Sequence, residues 1–163
     1  MKTLGDYRSN WSGGDRTPNV SSRGWNLLAI PAAVLLVMAI LQAVSFSAFK
    51  DFLETIKIGA PAVVAVVIIV AEVFGALSLL RIPMNPMLRF FGLSLAVLVA
   101  GFWFIENLFL LTSNIPSEGT SGLFGKYLAQ APGWWTAVQV SVLLFWVVYA
   151  AELLKWRPTV SRA

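Results

Sequence analysis

Four long apolar runs dominate this sequence, near residues 25–46, 60–80, 88–111 and 132–154. Each is about the length of the roughly 20 residues that a helix needs to cross the hydrocarbon layer of a membrane. A helix satisfies its own backbone hydrogen bonds in lipid, whereas membrane strands must close into a barrel, for which four runs are too few. The sequence therefore predicts an all-α integral membrane protein, built as a four-helix bundle.

The amino-acid composition supports a lipid environment. Of the 163 residues, 58% are hydrophobic and 12% are charged, whereas soluble domains contain about 45–50% apolar and about 25% charged residues. We expect one membrane domain over residues 25–156. It follows a polar, mostly disordered cytoplasmic tail, residues 1–24, and precedes a short basic tail, residues 157–163.

The basic residues predict the orientation, since Lys and Arg accumulate on the cytoplasmic side of membrane proteins. Nine of them fall on one side of the predicted spans and three on the other. The first set is Lys2, Arg8, Arg16, Arg23, Arg81, Arg89, Lys155, Arg157 and Arg162, and the second is Lys50, Lys57 and Lys126. We expect both termini in the cytoplasm, with the chain in a bacterial or archaeal cytoplasmic membrane. Because the charge is scattered, it does not indicate nucleic-acid binding.

The two outer loops carry apolar side chains at helical spacing. The first set is Phe49, Phe52, Leu53 and Ile56, and the second is Leu123, Phe124, Tyr127 and Leu128. Such a pattern predicts short helices that lie flat in the membrane interface. The alternative is that both loops simply pack against the top of the bundle.

The chain contains neither cysteine nor histidine. Disulfide exchange and thiolate metal sites are therefore excluded, and the commonest transition-metal ligand is missing. The phosphate-binding, dinucleotide-binding, nucleophile-elbow and metalloprotease motifs are also absent from the sequence. We assign no catalytic residue and no metal ligand, and a non-enzymatic role is favoured.

Two carboxyl groups lie inside predicted spans, where an ionisable side chain is costly and is often functional. Glu72 is either a proton-linked or ligand-binding group, or a structural carboxyl bonded to a neighbouring helix. The partners considered for it are Gln42, Ser94 and Gln139. For Glu106, followed by Asn107, lining of an outward-facing polar cavity is favoured over a purely structural role.

Small and aromatic residues in the spans indicate helix packing. The small ones recur four residues apart, as is common where helix backbones approach closely in membranes. They are Ala71, Gly75, Gly92, Ala96 and Ala100. An aromatic set is suited to lipid contact or packing, although it could flank a flat quinone-like ring. It comprises Phe90, Phe91, Phe102, Trp103, Phe104 and Phe109.

Three segments, residues 41–52, 60–61 and 71–80, carry a family resemblance. They read LQAVSFSAFKDF, AP and AEVFGALSLL, and together they resemble the DoxX/MauE-like family of small four-helix membrane proteins. In that family the first helix ends near a lysine and the second carries an acidic residue followed by Gly and Leu. Lys50 and Glu72 are the matching positions.

The resemblance implies a role in membrane redox chemistry. DoxX-like proteins are similar to a quinone-linked thiosulfate-oxidising subunit, and MauE-like proteins are associated with maturation of a disulfide-rich periplasmic enzyme. Because this chain has no cysteine, thiol chemistry is not available to it. An accessory or quinone-associated role is what the resemblance then implies.

Three functions follow as hypotheses. The first is a redox-accessory membrane protein that binds a partner, a quinone or a lipid-like ligand in the outer half of the bundle. The second is a purely structural small subunit of a larger membrane complex, with other membrane subunits or a second copy as partners. The third, less favoured, is a proton or small-solute conductor. Conduction needs a continuous polar path, and two carboxyls at different depths do not make one.

Overall fold

A computed structural model describes residues 22–80, 82–113, 122–127, 131 and 133–155. These residues form five helices and, within the described ranges, no strand. The helices are α1 (Ser22–Val44), α2 (Phe46–Thr55), α3 (Pro61–Leu79), α4 (Pro86–Thr112) and α5 (Trp134–Lys155). All but α2 are long and apolar enough to cross a membrane. The all-helical prediction with four candidate spans is thus confirmed.

The predicted tails and several loop positions lie outside the described residues. These are residues 1–21 and 156–163, together with Arg81 and Leu128. The predicted spans overlap the four long helices, although α1 begins at Ser22 and ends at Val44 rather than at residue 46.

Proline sets the start of two spans, because its fixed φ suits the first turn of a helix and its missing N–H is not needed there. Pro61 begins α3 and Pro86 begins α4. The Oδ1 atom of Asn85 accepts a hydrogen bond from the backbone N–H of Met87 at 3.0 Å. This side chain caps α4, since it satisfies one of the donors left free at a helix start.

A single residue, Ser45, separates α1 from α2. Its backbone N–H donates to the carbonyl of Leu41 at 3.0 Å, and its own carbonyl accepts from the N–H of Phe49 at 3.0 Å. Both bonds span four residues, as in an α-helix. The helical hydrogen-bond pattern therefore continues from α1 through Ser45 into α2.

The helix predicted in the first outer loop is present as α2. Its Phe49 and Leu53 are buried, whereas Lys50 forms ion pairs with Asp51 at 3.6 Å and with Glu54 at 3.4 Å. One face of α2 is thus apolar and covered, and the other is charged.

The second predicted outer-loop helix is not observed in residues 122–127, which form turns. The side chain of Leu123 is buried beneath this segment, with 2% of its surface exposed. Gly122 and Gly125 both adopt positive φ, at 71° and 59°. Left-handed residues at two positions in six interrupt a helix, so the apolar spacing there reflects burial in a turn.

The long helices pack in sequence, α1 on α3, α3 on α4 and α4 on α5, and α1 also contacts α5. The short α2 packs mainly on α3. Between them lies a core of mostly Leu, Ala and Val side chains, while many large apolar side chains point outward. An apolar exterior of this kind is suited to lipid tails.

The small residues predicted to pack lie where α3 meets α4. All five are buried. A Cβ atom added to Gly75 would lie 2.9 Å from the Cα atom of Ala96, and one added to Gly92 would collide with the Ser78 hydroxyl. Only a residue without a side chain allows the two backbones to approach this closely.

We predict that Gly75→Ala destabilises the protein by about 1–3 kcal/mol, because the added methyl group meets backbone that must move. Gly101→Ala on α4 is the matched control, since nothing lies within 4 Å of its added Cβ. It should leave stability unchanged or raise it slightly, because Ala favours a helix over Gly. Unfolding titrations in detergent measure both, and equal effects of the two variants would contradict the close contact.

Candidate functional site

Glu72 lies in the core between three helices. It sits on α3 and is fully buried, with 0% of its surface exposed. Its Oε1 atom accepts a hydrogen bond from Trp103 Nε1 on α4 at 2.9 Å and one from Gln42 Nε2 on α1 at 3.3 Å. One carboxyl oxygen therefore connects α1, α3 and α4 inside the apolar core.

Gln42 extends this connection to the outer segment. Besides Glu72, its Nε2 atom donates to the backbone carbonyl of Leu123 at 2.9 Å. Both N–H groups of the side-chain amide are thereby used, and this fixes which of its two ends is nitrogen. The amide oxygen has no protein partner.

Residues 122–127 are held against the junction of α1 and α2. The backbone N–H of Lys126 donates to Ser45 Oγ at 3.1 Å, and this hydroxyl donates in turn to the carbonyl of Leu41. A Cβ on Gly125 would collide with the Ser45 hydroxyl. The segment thus covers the end of α1 at which Gln42 lies.

A second carboxyl and amide lie beside Trp103 on α4. Glu106 and Asn107 are three and four residues further on, so the three side chains share a helix face, and all three are buried. Asn107 Nδ2 donates to Glu106 Oε2 at 2.9 Å and to the carbonyl of Trp103 at 3.0 Å. As in Gln42, both amide N–H groups are used.

We refer to these five residues as the polar cluster: Gln42, Glu72, Trp103, Glu106 and Asn107. It consists of two amide–carboxyl pairs joined through Trp103, whose indole N–H bonds one pair and whose carbonyl bonds the other. Each pair leaves one amide oxygen and one carboxyl oxygen buried without a protein partner. The unpartnered atoms are Gln42 Oε1, Glu72 Oε2, Glu106 Oε1 and Asn107 Oδ1.

Cations do not stabilise this cluster within the described part of the chain. The ion pairs found there involve Lys50 with Asp51 and Glu54, on the surface of α2. Arg89 is buried elsewhere, near the other end of α4, where its Nη2 atom donates to the carbonyl of Ile82 at 2.6 Å. The two buried carboxyls are thus bonded by neutral N–H donors.

Six residues are ligand-binding or proton-linked candidates from the sequence, and the structure brings four of them together. The six are Gln42, Lys50, Glu72, Glu106, Asn107 and Gln139. Glu72, Gln42, Glu106 and Asn107 share the cluster, whereas Lys50 pairs with acidic residues of α2. Gln139 lies on α5 and makes no described hydrogen bond to Glu72, and Ser94 donates to the carbonyl of Phe90. Of the three partners considered for Glu72, only Gln42 bonds to it.

Trp103 and Leu123 complete the site, and neither was predicted from the sequence to be a site residue. Trp103 was grouped with aromatic residues suited to lipid contact or packing. Its ring does contact Phe49, with the two ring centroids 5.9 Å apart. Two signals in the sequence could have identified Trp103. It shares a helix face with Glu106 and Asn107, and a buried indole N–H needs an acceptor. The Leu123 carbonyl leaves no signal in the sequence, since every residue carries one.

Comparison with protein-family models, curated proteins and solved structures gives no match for this chain. The functional interpretation therefore depends on the geometry of the polar cluster and on the residue pattern of the sequence.

We predict that Glu72 and Trp103 are energetically coupled. In a double-mutant cycle of Glu72→Leu and Trp103→Phe, the summed losses of the single variants should exceed the loss of the double variant by about 1–3 kcal/mol. The cycle cancels the loss of packing energy that each single substitution causes, so the remaining difference measures the interaction between the two side chains. Unfolding titrations in detergent supply the four stabilities.

The control cycle pairs Glu72→Leu with Trp146→Phe, because the indole of Trp146 bonds a different acceptor, the carbonyl of Leu27, at 2.9 Å. Its coupling should be near zero. Equal coupling in both cycles would show that the Trp103 bond to Glu72 has no specific energetic role.

Proposed function

We propose that this chain is a redox-accessory protein of the cytoplasmic membrane, of the DoxX/MauE-like kind. In this proposal four helices form a bundle with both termini in the cytoplasm, and α2 lies at the outer interface. The polar cluster binds a quinone, a lipid-like molecule or a partner subunit. The chain offers no thiol and no imidazole for redox or metal chemistry, since it contains neither cysteine nor histidine.

The observation that supports binding is the number of unpartnered oxygen atoms in the polar cluster. Buried polar atoms are almost always paired, and an unpaired one costs about 1–3 kcal/mol or more. Four such atoms belong to the polar cluster, on side chains that are at most 5% exposed. Purely structural carboxyls would be expected to have their hydrogen bonds completed by the protein.

The position of the cluster favours access from the outer side. Gln42 lies two residues before the end of α1, and it bonds the segment 122–127 that covers this end. The opposite end of the α3–α4 pair is closed differently, because the buried Arg89 donates from Nη2 to the carbonyl of Ile82 there. We therefore place the ligand in the outer half of the bundle.

The proposed orientation can be tested by cysteine labelling, because the natural chain contains no cysteine. Glu54→Cys on α2 should react with a membrane-impermeant maleimide in intact cells. Pro83→Cys in the turn between α3 and α4 should react only after the membrane is permeabilised. Both positions are exposed, so a reversed pattern would overturn the proposed topology.

Ligand binding can be tested by native mass spectrometry of the full chain in mild detergent. We expect a small apolar molecule to be retained by the wild-type chain and by Glu54→Gln, whose carboxyl lies on the exposed face of α2. Glu72→Leu should retain about tenfold less, because it removes the carboxyl that would hydrogen-bond the ligand.

Two results would contradict this proposal. Equal retention by Glu72→Leu and Glu54→Gln would show that the ligand does not contact the cluster. Stoichiometric copurification with large membrane subunits, without any bound small molecule, would favour the structural-subunit hypothesis instead.

A further inference from the structure

Arg89 is a buried cation that forms no ion pair within the described part of the chain. Its surface is 9% exposed, and its Nη2 atom donates to the backbone carbonyl of Ile82 at 2.6 Å. The Nη1 atom is also buried and has no hydrogen-bond partner. The ion pairs of the described residues belong to Lys50 instead. One end of this guanidinium therefore bonds a neutral carbonyl, and the other bonds none of the described residues.

The charge of Arg89 lies at the unfavourable end of a helix. Arg89 is the fourth residue of α4, and its bond to Ile82 directs the guanidinium toward residues that precede the helix start. The first turn of a helix carries a partial positive charge, which repels cations and attracts anions. The first turn of α4 contains no acidic residue. Burial and the helix dipole thus both destabilise the charge of Arg89.

A guanidinium differs in this respect from the carboxyls of the polar cluster. It stays charged in proteins and has donors only, so Nη1 requires an acceptor. An anion supplies the acceptor and the opposite charge together, whereas water supplies only the acceptor. Phosphate is suited to the position, because its oxygens match the planar fork of a guanidinium and because helix N-termini bind phosphate.

The surroundings of Arg89 are suited to a lipid headgroup. The large apolar side chains near it in sequence are 39–71% exposed, as is expected of groups that contact acyl chains. They are Ile82, Met87, Leu88, Phe90 and Phe91. With α4 (Pro86–Thr112) centred in the bilayer, Arg89 lies about 15 Å from its middle, which is half the thickness of the hydrocarbon layer. This is the depth at which acyl chains meet their phosphates.

The segment between α3 and α4 places Arg89 close to the surface of the protein. Residues 82–85 form neither helix nor strand, and all of them except Met84 are exposed. Arg89 bonds the first residue of this segment, Ile82. A headgroup at the membrane surface is therefore separated from the guanidinium by one short, exposed stretch of chain.

We propose that Arg89 and the first turn of α4 bind a phosphate group. A lipid headgroup and a free phosphate share this chemistry, and the exposed apolar side chains around Arg89 favour the lipid. The site lies at the end of the bundle where α4 begins, opposite to the end from which the polar cluster is proposed to be reached. It goes beyond the function proposed above and does not depend on a ligand in the cluster.

The test measures lipid retention by native mass spectrometry of the full chain in a neutral detergent, dodecyl maltoside. The two lipid probes share their tails: dioleoyl phosphatidylglycerol carries a phosphate, and dioleoylglycerol lacks it. We expect the wild-type chain to retain at least about tenfold more of the phosphatidylglycerol, the difference that one hydrogen bond between charged groups makes. Inorganic phosphate is a third probe, tested by thermal unfolding in the same detergent.

The variant Arg89→Met removes the guanidinium and keeps an unbranched side chain, so it should reduce the lipid preference to near one. Arg89→Lys keeps the charge but lacks the planar fork, so it should give an intermediate preference. It supplies the test should Arg89→Met fail to fold. Lys50→Met is the matched control, because Lys50 is a cation that is already ion-paired on α2, and it should keep the full preference.

Thermal unfolding distinguishes a binding role of Arg89 from a purely structural one. Without lipid, Arg89→Met should unfold at or above the wild-type temperature, because a buried charge without a partner destabilises the folded chain. Phosphatidylglycerol should raise the unfolding temperature of the wild type but not that of the variant. A structural guanidinium would give a different result, since the variant would then unfold below the wild type by the same margin with and without lipid.

The remaining outcomes identify the source of the phosphate or overturn the inference. Stabilisation of the wild type by inorganic phosphate as well as by phosphatidylglycerol assigns the site to a free phosphate, and stabilisation by the lipid alone assigns it to a headgroup. Equal retention of the two lipids by the wild type, or of phosphatidylglycerol by the wild type and Arg89→Met, overturns the inference. Glu72→Leu should keep the lipid preference, so failure here is distinguishable from failure of ligand binding at the polar cluster.

Discussion

The carboxyl of Glu72 in the apolar core is the interaction on which the arrangement of helices depends. A polar group in a membrane interior has no solvent to bond, so the protein itself must supply its partners. Glu72 obtains them from Gln42 on α1 and Trp103 on α4. Because the two donors come from different helices, α1 and α4 must both face α3 at this depth.

Much of the fold could be predicted from the sequence because membrane helices are governed by length and apolarity. Pro61 and Pro86 each lie at the start of a helix. The small residues of α3 and α4 lie where the two backbones approach each other. Both features follow from residue type at single positions. The turn at residues 122–127 could not be predicted in this way. Its apolar spacing matches a helix. Gly122 and Gly125, whose positive φ prevents one, gave no warning in the sequence, because Gly is also frequent in membrane helices.

The site was less predictable than the fold, for a physical reason. Residue type alone identifies Glu72, Glu106 and Gln42, since polar groups in apolar spans need partners. The identity of each partner depends on helix register and rotation. Lys50 illustrates the limit, because its match to a family pattern gave no information about its ion pairs on α2.

Close packing and hydrogen bonding in this core are linked through the same pair of helices. Gly75 lies one turn from Glu72 on α3, and Ala96 lies two turns from Trp103 on α4. Contact between Gly75 and Ala96 holds the two backbones near each other and sets their register. A larger residue at Gly75 would move α4 outward, and a displacement of even 1 Å would lengthen the 2.9 Å bond from Trp103 to Glu72 beyond hydrogen-bond range. The small-residue contact therefore positions the polar cluster as well as stabilising the helix pair.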